Sequence, residues 1–169
     1  MSLLFAATYP ERARSLVLVG TAARFTRELP DHPWGFTPDE IAAVHSDIDE
    51  NWGEGALSEL FFGAVADVPG VREMFGREQR VSASPRMAHL MWDAVSEIDV
   101  RGVLAGVRTP TRVLTRRGDR IAPFEAAAAM AAALPNAELV ELPPGEHYAE
   151  CARTVTLRAC ASRFAPSES

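Results

Sequence analysis

Pro110-Thr111-Arg112-Val113-Leu114-Thr115-Arg116-Arg117-Gly118-Asp119-Arg120 and, further on, Ala137-Glu138-Leu139-Val140-Glu141-Leu142-Pro143-Pro144-Gly145-Glu146-His147 decide the fold. Each stretch opens with a short strand-like apolar run, Thr111–Thr115 and Ala137–Leu142, and closes on a glycine turn that delivers a titratable side chain. Between them Phe124–Leu134 is an Ala-rich helix. Strand, helix and strand with short links predict parallel neighbours joined by right-handed crossovers. Asp119 and His147 then both fall just past the C-terminal ends of parallel strands, the edge where open α/β sheets gather ligands and catalytic groups.

Working outward, Ser15-Leu16-Val17-Leu18-Val19 reads as a third strand, nearly continuous in apolar residues, of the type covered on both faces inside a parallel sheet. Gly20-Thr21-Ala22 ends it. Ser2–Thr8 reads as a helix apolar almost all round, hence a buried helix end, with Ser2 as its cap. Pro10 stops it, because proline disfavours helix at the residue before it. Ala152–Phe164 is expected as a closing helix and Ala165–Ser169 as a frayed tail.

The segment from Arg24 to Gly106 differs in character, with 15 Asp and Glu against 7 Arg. Thr37-Pro38-Asp39-Glu40 is a capping box with proline at the first helical position, and it opens a helix to about Trp52. Ser84-Pro85 opens another to about Glu97, with Met87, Leu90, Met91, Ala94 and Val95 on one face. Asp99 is placed to cap a third, short one. The expected organisation is a partial α/β core from residues 1–23 and 107–169, and a helical insertion over 24–106, acidic outside and rich in Met and Trp inside.

Composition bounds the function. At 169 residues, 47% hydrophobic and 24% charged, the chain can bury a real core and is ordinary for a globular domain. Every cation is Arg, and the net charge of −6 with no basic stripe argues against nucleic acid and anionic membranes as partners. The apolar runs are far too short to span a bilayer. No cationic stretch precedes an apolar segment with a cleavage site, so the cytoplasm is the expected compartment. Cys151 and Cys160, nine residues apart on one predicted helix, are separated by about 13 Å of helical rise and cannot bridge. They are expected as free thiols, and no metal-ligand cluster or glycine-rich phosphate loop is visible.

A hydrolytic imidazole needs a carboxylate to fix its tautomer and a loop from which to reach a nucleophile. A Gly-Asp turn taken alone is a common loop, and a single histidine is most often a surface residue. Order, strand context and the 28-residue spacing together assign Asp119 and His147 as an acid and base pair. Trp34, Phe62, Met91 and Trp92, with Trp52, Phe61, Met74, Phe75 and Met87, suit either the core of the insertion or the lining of an acyl or aromatic substrate pocket. His32, His45 and His89 are spread over the insertion without shared spacing and read as satisfied or exposed. Asp39/Glu40 and Asp47/Asp49/Glu50 read as solvated helix faces.

Leu3-Leu4-Phe5-Ala6-Ala7-Thr8-Tyr9-Pro10-Glu11-Arg12 with Ser15–Gly20, Pro110–Leu114, Arg116–Pro123 and Glu141-Leu142-Pro143…His147 resemble the α/β-hydrolase family, from just after the nucleophile elbow to the end of the fold. The likeness is greatest to actinobacterial-type members, stand-alone or preceding a nucleotide cyclase domain. It implies an α/β fold made of the C-terminal part of a hydrolase sheet, about three parallel strands with flanking helices, plus a helical cap over 24–106. It also implies Asp119 as the acid and His147 as the general base in the order Ser…Asp…His, a small ester or acyl substrate, and no cofactor. In that family G-x-S-x-G-G lies a few residues before the position of Met1, so the expectation is a chain lacking its nucleophile and inactive by itself. A non-catalytic regulatory or interaction module is the alternative, and a haloperoxidase- or lyase-like relative shares the fold. The strand at Ser15–Val19 is expected to present an open edge prone to self-association.

Overall fold

The computed structural model describes residues 1–148; the expected closing helix, Cys151 and Cys160 lie outside the described residues. Two compact units divide the chain, one formed by Met1–Ala23 with the segment from Val100 onward, the other by Arg24–Asp99.

The first unit is built on three parallel strands, β1 (Leu16–Val19), β2 (Thr111–Arg116) and β3 (Ala137–Leu142), in the order β1-β2-β3. Leu16 pairs with Thr111 and Thr111 with Ala137, so the three strands run in step and end on the same side. β2 lies in the middle, and Thr111 to Thr115 are all buried, with Val113 and Leu114 fully enclosed. Arg112 is buried too, its Nε donating to Glu138 of the neighbouring strand at 3.2 Å. An extended run of β-branched and leucine residues bounded by Pro110 and Gly118 has this environment written into it.

Among the described residues α1 (Ser2–Thr8), α6 (Phe124–Ala133) and a 3-10 turn at Arg101–Gly106 that packs on both helices flank the sheet. α6 buries Ala126, Ala127, Met130 and Ala131. Small alanines let it lie close against β2 and β3. Three expectations change here. α1 is not buried all round: Leu3 and Ala6 face inward, while Leu4 and Phe5 are 39% and 41% exposed. The N-cap position is Met1, and Ser2 is the first helical residue with no capping bond. β1 is not covered on both faces: Val17 and Val19 are exposed, on the strand that forms the edge among the described residues. Leu4, Phe5, Val17 and Val19 are exposed because nothing among residues 1–148 covers them.

The chain leaves this unit after Ala23 and returns at Val100, whose N–H donates to the Ala23 carbonyl at 2.9 Å. The return thus falls before the Arg101–Gly106 turn rather than after it.

The second unit holds α2 (Pro38–Asn51), α3 (Ser58–Phe62), α4 (Val71–Ser82) and α5 (Pro85–Ser96). The capping box at Thr37 is formed: its hydroxyl accepts from the Glu40 N–H at 3.2 Å, and the Glu40 carboxylate accepts from the Thr37 N–H at 2.8 Å. Ser84 caps α5 through the Met87 N–H at 3.3 Å. Val44, Ile48, Ala56, Leu57 and Ala88 form the unit's core, with Trp52, Leu60, Phe61 and Trp92 packed on it. Buried Gln79 of α4 ties down the loop between α2 and α3, donating to the Ala56 carbonyl at 2.7 Å and accepting from the Gly53 N–H at 3.1 Å. Gly76 is needed for that approach, since a Cβ there would meet the Gly53 carbonyl oxygen at 2.5 Å. Arg24 and Asp99, the unit's two ends, are joined at 3.1 Å. Asp99 therefore holds Arg24 and does not cap the following turn, whose N-cap position is Val100.

The methionines are not inside. Met74, Met87, Leu90 and Met91 are 46–57% exposed. The side of α5 that meets α2 carries Ala88 and Trp92 instead, one helical turn apart. Among the described residues no helix is long and apolar enough to cross a membrane.

Candidate active site

Asp119 and His147 meet. His147 Nδ1 lies 2.9 Å from Asp119 Oδ2 and 3.1 Å from Oδ1. The carboxylate can only accept, so Nδ1 carries the hydrogen, and in the neutral ring the lone pair is on Nε2. Asp119 Oδ1 accepts two further hydrogen bonds, from the Ile121 and Ala122 N–H groups, both at 2.9 Å. The two oxygens thus divide their work. Oδ1 is fixed by the turn that leads into α6, and Oδ2 orients the imidazole.

Local sequence makes this possible. β2 ends at Arg116, and the backbone reverses through Gly118 at φ +99°, a conformation that favours glycine. The loop after β3 is clasped to it, with the Gly145 N–H donating to the Arg117 carbonyl at 3.0 Å. A Cβ on Gly118 would press on the Gly145 carbonyl oxygen at 3.2 Å. Burial finishes the arrangement: the Asp119 side chain is 2% exposed and that of His147 18%. Tyr148 packs beside the imidazole at 5.3 Å between ring centroids.

Two residues with a part in this site carry no catalytic signal in the sequence. Gly20, at the end of β1 with φ +52°, faces the pair: a Cβ there would lie 3.1 Å from His147 Cε1 and 3.5 Å from Asp119 Oδ2. As a sequence feature it is only a strand terminator. Arg117 stands over the Phe124 ring at 4.0 Å and reaches Glu141 at 2.9 Å, linking the loop before Asp119 to α6 and β3. A basic residue beside a glycine turn gives no hint of that.

The four pocket candidates occupy different surroundings within the second unit. Trp92 packs edge-on against Phe36 at 5.5 Å and belongs to the core. Phe62 packs edge-on against Phe75 at 5.1 Å. Trp34 is half-buried against His32 at 5.4 Å, and Met91 is 57% exposed. His45 and His89, unrelated in sequence spacing, are brought into contact by the packing of α2 on α5, with 2.6 Å between their Nδ1 atoms. Among the described residues no group of three or more His, Cys, Asp or Glu is gathered to hold a metal ion.

No family model matches the chain. It is 30% identical over 118 residues to the strigolactone esterase D14 of Arabidopsis thaliana, covering 70% of this chain and 43% of that protein. It is 26% identical over 151 residues to the pimeloyl-[acyl-carrier protein] methyl ester esterase of Chromobacterium violaceum, covering 85% of this chain and 57% of that protein. Among solved structures, the esterase EaEST of Exiguobacterium antarcticum superposes with a TM-score of 0.73 at 24% identity, over 86% of this chain and 55% of that one. The chain spans about half the length of the relatives it matches.

Proposed function

We propose a function from one premise: the chain belongs to the α/β-hydrolase family, and its three-stranded parallel sheet with flanking helices is the C-terminal portion of that fold. The complete protein is a serine hydrolase that cleaves a small ester or other acyl compound, with Asp119 as acid and His147 as general base. The observation that carries this is the carboxylate–imidazole contact at 2.9 Å, at the C-terminal edge of parallel strands and with the carboxylate held by two backbone N–H groups. The two curated relatives named above are both esterases.

In this mechanism a serine hydroxyl attacks the carbonyl carbon, and His147 Nε2 takes its proton. Asp119 Oδ2 accepts the Nδ1–H throughout, holds the ring in that tautomer and stabilises the imidazolium. His147 then returns the proton to the leaving group, and water repeats the sequence on the acyl-enzyme. No step calls on a cofactor, and the compartment is the cytoplasm.

The nucleophile comes from a segment preceding Met1, with the backbone donors of the oxyanion hole. Residues 1–169 by themselves are inactive or nearly so, since triad members act as a unit. The coverage of about half of each relative supports this. So does Ser2, which sits at the first position of α1 with none of the strand-turn context of a nucleophile elbow. The exposed apolar edge at Val17 and Val19 is where the sheet continues in the complete protein, and in the isolated chain it drives self-association. A complete protein that hydrolyses short-chain p-nitrophenyl esters, and loses this on His147→Ala, supports the reading. Hydrolysis that survives His147→Ala refutes it.

A further inference from the structure

A pair of histidines lies apart from the sheet edge in sequence and in the other unit. His45 of α2 and His89 of α5 approach to 2.6 Å between their Nδ1 atoms. Their ring planes are inclined by 12° and their centroids are 4.8 Å apart, close to the Nδ1···Nδ1 distance plus one ring radius at each end. The rings therefore lie edge to edge, nitrogen facing nitrogen, and not face on face. Each far nitrogen rests on a carboxylate: His45 Nε2 is 3.2 Å from Asp93 and His89 Nε2 is 2.8 Å from Asp49.

The Asp49 carboxylate only accepts, so His89 Nε2 carries hydrogen and His89 Nδ1 presents its lone pair to His45. A proton on His45 Nδ1 fills the 2.6 Å gap as one N–H···N hydrogen bond. In the other His45 tautomer, with hydrogen on Nε2 beside Asp93, both Nδ1 lone pairs face the same point. The wider pattern, an imidazole whose remote N–H is held by a carboxylate, is the one that orients and strengthens metal-ligating histidines. Here a carboxylate holds His89 in this way, and another stands 3.2 Å from the remote nitrogen of His45.

We propose that His45 and His89 form a two-imidazole binding site for a borderline divalent transition metal such as Zn2+. Nδ1 of each ring is a ligand, and Asp93 and Asp49 are the outer carboxylates. Tetrahedral zinc, with Zn–N of about 2.0–2.1 Å, holds two nitrogens about 3.3 Å apart. For the ion to replace the proton the rings need to part by about 0.7 Å and to tilt, so that lone pairs now on one line meet at the tetrahedral angle. Both side chains are one-quarter exposed, so water reaches the remaining coordination positions. Nitrogen donors select Zn2+, Ni2+ or Cu2+ and disfavour Mg2+ and Ca2+, which take oxygen. A bound ion would cross-link α2 to α5, and it would be displaced by acid because the imidazoles must be deprotonated.

The test uses the full 169-residue chain with Cys151→Ser and Cys160→Ser, so that thiols do not compete, titrated calorimetrically with ZnCl2 and, as control, MgCl2. The site predicts one saturable Zn2+ per chain and no binding of Mg2+. Zn2+ affinity should fall at least tenfold in His45→Gln and in His89→Gln, and about tenfold in Asp49→Asn or Asp93→Asn. Electron paramagnetic resonance of the parent loaded with one Cu2+ needs no further variant, and it should show coupling to two imidazole nitrogens. No saturable Zn2+ binding, affinity unchanged in either histidine variant, or coupling to fewer than two nitrogens would each overturn the assignment.

Discussion

In the sheet unit, polar groups converge. Asp119 accepts from His147 and from two backbone N–H groups, Gly145 clasps Arg117, and Gly20 faces the pair, all where parallel strands end. In the helical unit most of them stand apart, as a capping box at Thr37, Gln79 on the Gly53–Ala56 loop and the Trp52 indole on the Ala83 carbonyl, while the His45–His89 pair gathers between two helices. The helical unit is the richer in Met and Trp, yet Met74, Met87 and Met91 are about half exposed. A site is marked by convergence of fixed polar groups on a rigid edge. Abundance of apolar side chains marks nothing by itself.

This contrast can be broken most forcefully at the pair. In the complete protein Asp119→Asn keeps the shape and removes the acceptor that fixes the tautomer, and it should lower kcat by about 10^4-fold, measured on an ester substrate. A change of the same class at the helical unit's carboxylates, Asp93→Asn, should leave kcat within about twofold, because that residue touches none of the reacting atoms.

The next effect is on stability. Leu114→Ala empties a fully buried site of β2 and should cost about 2–5 kcal/mol in denaturant unfolding. Met91→Ala, on a side chain 57% exposed, should cost no more than about 0.5 kcal/mol. Equal losses would show that the methionine face is covered in solution.

Gly20→Ala sharpens the comparison within the site. It places a methyl 3.1 Å from His147 Cε1 at a residue whose φ is +52°. The expected outcome is a loss of kcat, from a displaced imidazole, larger than the roughly 1 kcal/mol backbone penalty would bring through unfolding. Thermal melts beside single-turnover rates separate the two. The smallest effect lies in the helical unit, where Thr37→Ala removes the capping box and should cost about 1 kcal/mol with activity per folded molecule unchanged.

The fold was legible wherever period and punctuation agreed. β3 spans Ala137–Leu142 as its residues imply, and the Thr37 and Ser84 caps start α2 and α5 where expected. Asp119 and His147 were legible because each follows a strand and a glycine turn. Burial was less legible. The apolar run Ser2–Thr8 says helix but not which side has a neighbour, and Leu4 and Phe5 are exposed. On α5 the apolar stripe Met87, Leu90, Met91 and Ala94 gives a face, while a small residue, Ala88, set the face that packs. Gly20 and the His45–His89 pair were silent for another reason: their partners are distant in the chain, 44 residues for the histidines, and only packing joins them.

Labelling with a fluorophosphonate, which reacts with an activated serine, tests the central claim most directly. The complete protein should be modified at one serine upstream of Met1, the 169-residue chain should not be modified, and His147→Ala should abolish modification of the complete protein. Undiminished labelling of His147→Ala, or a labelled serine within residues 1–169, would contradict the assignment of Asp119 and His147 as two members of a hydrolase triad.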